Sequence, residues 1–207
     1  MPPFDVAYGK ALQEMKLISP YVTASQSGAL FDGEKFRLPF FHRTFLISFP
    51  EIKVEEMGAQ AAPPHWIQTL LFHYLLNARG MAVADQWIAY RNLPGAQLFE
   101  AKFQQNAIRP LVQAFGHDIE GFRRAGEALE GTPMSRTGDA AFRFLAFPLV
   151  PMASILYLGD DEVQPSVTIL FDASAPSYLP TDDLYVTGIY LGGALRSHPA
   201  KASRNVA

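Results

Sequence analysis

From residue 4 to residue 18, Val6, Ala7, Ala11, Leu12, Met15 and Ile18 recur near helical spacing, with Lys10, Glu14 and Lys16 elsewhere, which predicts an amphipathic helix. Ser19 is a natural N-cap and Pro20 a natural first helical residue, so a short second helix is expected over 20–27, closed by Gly28. Between Leu30 and Val54 the period falls to two. Phe36, Leu38 and Phe40 alternate, then Phe45, Ile47 and Phe49 after a corner at His42-Arg43, as in a hairpin or a three-stranded meander. Residues 58–64 form a small-residue, proline-rich linker. After Pro63 and Pro64 the run from His65 to Leu76 is apolar nearly all round and ends near Arg79 and Gly80, so this helix is expected to be central.

Residues 84–95 read as an extended piece that turns sharply at Pro94-Gly95. Helices are expected over 99–115 and 118–130, separated by Gly116, with Pro110 kinking or dividing the first. The last third returns to strands at 141–147, 152–158 and 167–171, and a helix from about Thr181 to Leu195 closes the domain. Phe144 to Leu158 is almost wholly apolar, but Pro148 and Pro151 interrupt it and it falls short of about 18 residues, so strand, turn and strand fit better than a membrane span. No repeat occurs at periods of 20–50 residues. Clustered helices and strands without strict alternation argue for an α+β fold with a largely antiparallel sheet. A single domain over 1–195 and a flexible polar tail over 196–207 are expected.

Composition sharpens this picture. With 207 residues, 49% hydrophobic and 18% charged, the chain is more apolar than an average soluble domain. Folding at this size buries about 70% of the extended chain's surface, enough for one core. The absence of Cys excludes disulfides, thiolate metal sites and a cysteine nucleophile. The net charge of −3 conceals a more acidic body, because Arg196, Lys201 and Arg204 lie in a tail without acids; this argues against nucleic acid as a partner. Met1-Pro2-Pro3-Phe4-Asp5 has no basic leader before an apolar run, so a cytoplasmic location is expected.

Several segments taken in order resemble one family. They are Phe36-Arg37-Leu38-Pro39-Phe40, Leu71-Phe72-His73-Tyr74-Leu75-Leu76, Trp87 to Gly95, Gly138-Asp139-Ala140-Ala141-Phe142-Arg143, Leu170-Phe171-Asp172-Ala173-Ser174, and Tyr178 to Leu184. Together they are similar to the bacterial and archaeal family catalogued as domain of unknown function 3786, found largely in anaerobes. The resemblance implies no assigned activity. Its members joined to a cysteine-rich iron–sulfur domain imply metallocofactor or redox surroundings, yet a chain without Cys cannot itself hold such a cluster.

On the central helix Thr69, His73 and Asn77 stand at i, i+4 and i+8, with Trp66 beside His73. This stripe either faces a cavity, with His73 as ligand or general acid/base and Trp66 as a flat wall, or it is a solvent side or a buried His satisfied by a carbonyl. Trp87, Tyr90 and Arg91 precede a Pro-Gly turn, where an Arg beside aromatic faces grips an anion or stacks on a planar ligand, or merely anchors the loop. Arg37, Arg43, Arg109 and Arg143 are candidates to join such a site. Gly159-Asp160-Asp161-Glu162 has the look of a polymerase acidic turn but reads better as a solvated hairpin tip. Ser174, His73 and Asp172 could be drawn as a triad, although no Gly-x-Ser-x-Gly elbow is present. Thr181 with Asp182 and Asp183 reads as an N-cap followed by acids in the first helical turn.

The five His, at 42, 65, 73, 117 and 198, show no zinc-type spacing, and the glycines form no phosphate loop or dinucleotide fingerprint. The leading expectation is a domain that binds a planar anionic small molecule, such as a tetrapyrrole or corrinoid, through Trp66, His73, Asn77, Trp87, Tyr90, Arg91 and Asp172. Two alternatives stand beside it: an interaction or assembly module with a protein partner or a second copy of the chain, serving a metallocofactor-dependent protein, and an enzyme using His73 and Asp172. Membrane insertion is not expected.

Overall fold

A computed structural model describes residues 3–197, with side chains from residue 5 onward. The expected flexible tail over 196–207 lies outside the described residues except at Arg196 and Ser197, which belong to the end of a helix. The chain is α+β, as its clustered periodicities predict, with a four-stranded and a five-stranded sheet. It divides into two compact units: Met1–Ile88 with Leu145–Pro151 and Phe171–Leu184, and Ala89–Phe144 with Met152–Leu170 and Tyr185–Ala207.

The first unit opens with α1 (Pro3–Met15) and α2 (Pro20–Ser27). Pro20 occupies the first turn of α2, and Gly28 ends it in the left-handed region at φ 69°. A Cβ at Gly28 would stand 3.0 Å from Pro148 Cβ, so the backbone conformation and the crowding both select glycine. The sheet is an antiparallel meander of β1 (Leu30–Phe31), β2 (Lys35–Phe40), β3 (Arg43–Ser48) and β4 (Val54–Glu56), in that order. It has one strand more than the period-two reading allowed, because two-residue β1 is too short to show a period. Phe36 pairs with Ile47 and Leu38 with Phe45, which places the alternating apolar side chains on one fully buried face.

The central helix α3 (His65–Asn77) buries Ile67 through Phe72, Tyr74 and Leu75, as its all-round apolar sequence predicts. It stops two residues before Arg79, whose Nη1 donates to the terminal carbonyls of Leu76 and Ala78 at 2.8 and 3.0 Å. The Tyr74 ring stacks on Phe147 at 4.3 Å, and its hydroxyl donates to Ser27 O at 2.5 Å while accepting from Leu149 N at 3.2 Å. One phenol therefore ties α2 and the 148–149 turn to α3. Burial pushes its pKa far upward, so it acts as a neutral donor and acceptor.

The second sheet has the order β5-β9-β8-β7-β6, formed by β5 (Trp87–Ala89), β6 (Thr132–Pro133), β7 (Ala140–Phe147), β8 (Val150–Tyr157) and β9 (Ser166–Asp172). The apolar run 144–158 folds as strand, turn at Pro148-Leu149 and strand, and no described helix is long and apolar enough to cross a membrane. In the second unit α4 (Glu100–Phe103), a π-turn (Gln104–Ile108) and α5 (Arg109–Phe115) span the helix expected over 99–115 to be kinked or divided at Pro110. Arg109 N donates to Gln104 O, five residues back. Pro110 has no N–H to continue the ordinary ladder, and the extra residue is absorbed just before it. In α6 (Ile119–Ala128), Asp118 caps the start through a 2.7 Å bond from Gly121 N, and Phe122 packs on Phe142 at 5.9 Å. The last helix, α7 (Thr181–Ser197), carries Asp182 and Asp183 in its first turn as expected.

Candidate functional site

In the second unit the chain leaves β5 through a single 3₁₀ turn, Tyr90–Asn92, passes left-handed Gly95 at φ 75°, and enters α4. A 3₁₀ turn aims successive side chains about 120° apart. Tyr90 accordingly turns inward and is buried, whereas Arg91 next to it is exposed. The Tyr90 ring stacks on Phe103 at 4.2 Å and 12°, with Tyr185 tilted against it at 6.0 Å. Beside this stack lies a pocket of about 130 Å³, bounded by Tyr90, Arg91, Glu100, Phe103, Gln104 and the Thr168 segment of β9.

Two residues of opposite charge, Arg91 and Glu100, line this pocket, and neither is ion-paired among the described residues. Glu100 Oε1 accepts from Gln104 Nε2 at 2.8 Å, while Oε2 is buried with no hydrogen-bond partner. Gln104 and Ile108, which also face the pocket, bound the π-turn, so the widened helix shapes this wall. Tyr90 and Arg91 were legible as candidates from their place before Pro94-Gly95. Glu100 and Gln104 were not, because an acid and an amide four apart on a helix read as a solvated pair.

The remaining expected site residues belong to the first unit. His73 Nδ1 lies 2.6 Å from Asp183 Oδ2, with 26% and 14% of the side chains exposed. The bond to Asp183 raises the His73 pKa; burial opposes it, and the charges of Asp183 and Glu14 add to it while Lys10 detracts. The polar stripe on α3 is therefore no solvent face. Thr69 is buried and donates to its own helix at His65 O, 2.8 Å away, and His73 is held by a carboxylate, not by a carbonyl. Asn77 is the last residue of α3, and Trp66 and Trp87 are half-buried near the starts of α3 and β5.

Asp172, fully buried at the end of β9, accepts at Oδ1 from Ser174 Oγ at 2.5 Å and from the backbone N–H groups of Ser174 and Ala84, both at 2.9 Å. Burial alone would push its pKa up. The hydrogen bonds from Ser174, Ala84 and Asp85 outweigh that cost and hold it below the usual carboxylate value. Among the described residues His73 and Asp172 are not hydrogen-bonded to one another: His73 takes Asp183, and Asp172 takes Ser174.

Arg43 and the acidic turn at 159–162 are accounted for locally. Arg43 forms a two-pronged bridge to Glu56 at 2.7 and 2.5 Å, and Asp160 Oδ1 accepts from Glu162 N and Val163 N at 2.9 and 2.7 Å, which makes 159–162 an Asx-closed hairpin tip. No group of three or more metal-ligating side chains occurs among the described residues.

Residues 19–193 match the family described as Domain of unknown function (DUF3786), and the chain belongs to that family. No curated protein and no solved structure matches it.

Proposed function

We propose that this member of a family without an assigned activity is a small-molecule-binding domain that receives an anionic group against Arg91, in the pocket beside the Tyr90–Phe103 stack. The observation that carries this reading is that Arg91 lines a concave, aromatic-walled pocket and has no ionic partner among the described residues. An arginine placed to anchor its loop would engage a helix C-terminus, and the Arg91 side chain forms no such bond among the described residues.

Size selects the ligand. At about 130 Å³ the pocket lies below the roughly 300–1,000 Å³ of drug-sized sites. It suits a compact anion or a small anionic end group better than a whole tetrapyrrole or corrinoid. His73 is engaged by Asp183, and Asp172 Oδ1 by Ser174.

Isothermal titration of the protein with acetate and with inorganic phosphate tests the reading. Wild type is expected to bind at least one of them with a stoichiometry near one, and Arg91→Gln is expected to bind it at least tenfold more weakly. Equal affinity in the two proteins, or no binding by wild type, would overturn it.

A further inference from the structure

The pocket that holds Arg91 also holds an opposite charge with an unmet need. Glu100 stands in the first turn of α4, with Oε1 satisfied by Gln104 Nε2 at 2.8 Å and Oε2 buried and unbonded. A carboxylate oxygen removed from water without a donor is costly, so such an atom marks a place where a donor is missing. The cation on the same pocket wall is Arg91, yet the two side chains are farther apart than an ion pair allows. Two unpaired opposite charges on one small pocket fit a ligand that bears both complements.

We infer that the ligand is a small zwitterion, an amino acid or closely similar amino-carboxylate, with its carboxylate on Arg91 and its ammonium group on Glu100 Oε2. This rests on the reading of Arg91 as the anion site and adds the second charge. Volume agrees with it. At about 130 Å³ the pocket admits a compact zwitterion and lies below the roughly 300–1,000 Å³ of drug-sized sites. A guanidinium matches a carboxylate with two parallel hydrogen bonds, and an ammonium supplies the donors that Oε2 lacks. The π-turn contributes by setting Gln104 where its amide fixes Oε1 and leaves Oε2 without a donor.

The experiment compares glycine, β-alanine, acetate and methylammonium by titration into the full chain, in wild type and in Glu100→Gln, whose folding is checked by its melting temperature. Glycine or β-alanine is expected to bind at least tenfold more tightly than acetate or methylammonium. Glu100→Gln is expected to erase that advantage without weakening acetate, and Gln104→Ala, which frees Oε1, to weaken the zwitterion less. If acetate binds wild type as well as glycine does, and Glu100→Gln changes neither, the zwitterion is excluded while the anion site at Arg91 stands. If neither glycine nor acetate binds, the Arg91 site fails and this inference falls with it.

Discussion

His73 Nδ1 and Asp183 Oδ2 lie 2.6 Å apart although 110 positions separate them in the chain, and the pair locks the middle of α3 to the first turn of α7. Its stability contribution depends on pH, with a sign fixed by the raised His73 pKa. The folded-state value lies above the usual value of about 6.5, so the folded chain binds the proton more tightly than the unfolded one. The stabilisation is complete below about pH 6 and is lost as pH rises through the folded-state value. Denaturant unfolding of wild type and His73→Gln should differ by about 1.5–3 kcal/mol at pH 5.5, with the gap narrowing toward pH 8.5. A gap that widens with pH would contradict the charged pair.

Asp172 should behave in the opposite sense. Its lowered pKa means that its contribution is present above the unfolded value of about 3.9 and fades as pH falls through the folded one. Asp172→Ala removes the acceptor for Ala84 N, Ser174 N and Ser174 Oγ together. At about 1–3 kcal/mol for each buried group left unpaired, a loss of at least about 3 kcal/mol is expected at pH 7. Hydrogen exchange at the amides of Ala84 and Ser174 should accelerate in the same variant.

Tyr74→Phe leaves Ser27 O without its donor and Leu149 N without its acceptor, while the ring stack on Phe147 is kept. The expected cost in chemical denaturation is about 1–3 kcal/mol, caused by the unpaired backbone groups and not by packing. A cost below about 0.5 kcal/mol would show that water replaces the phenol.

Two glycines in helices should respond oppositely to alanine. A Cβ at Gly126 would stand 2.5 Å from the Phe142 ring, so Gly126→Ala should destabilise by about 1–3 kcal/mol through overpacking. Gly193 in α7 has nothing within 4 Å of such a Cβ, so Gly193→Ala should stabilise by about 0.5–1 kcal/mol through helix propensity. Paired melting curves decide both.

These relationships also show what the sequence could and could not convey. Buried α3, the paired faces of β2 and β3, Gly28 at the end of α2 and the strand–turn–strand at 144–158 each follow from a local pattern that the structure keeps. Two-residue β1 and β6 have no period to read. The helical repeat of 99–115 cannot distinguish a four-residue from a five-residue bond, so the π-turn was hidden, although Pro110 marked its neighbourhood. Asp183 was legible as a first-turn acid, but its partner His73 was set by tertiary packing. Tyr90 and Arg91 could be proposed from the turn that follows them, whereas Glu100 became a candidate only once its unbonded oxygen was found in the same pocket as Arg91.

The central claim is that a small anion sits against Arg91 in the Tyr90 pocket, and amide shift mapping by NMR tests it most directly. On titration with acetate, the backbone resonances of residues 89–92, 100–104 and 167–169 should move along one saturable curve in wild type, and those movements should vanish in Arg91→Gln. Shifts confined to the α3 residues around His73, or no saturable shifts at all, would contradict the account.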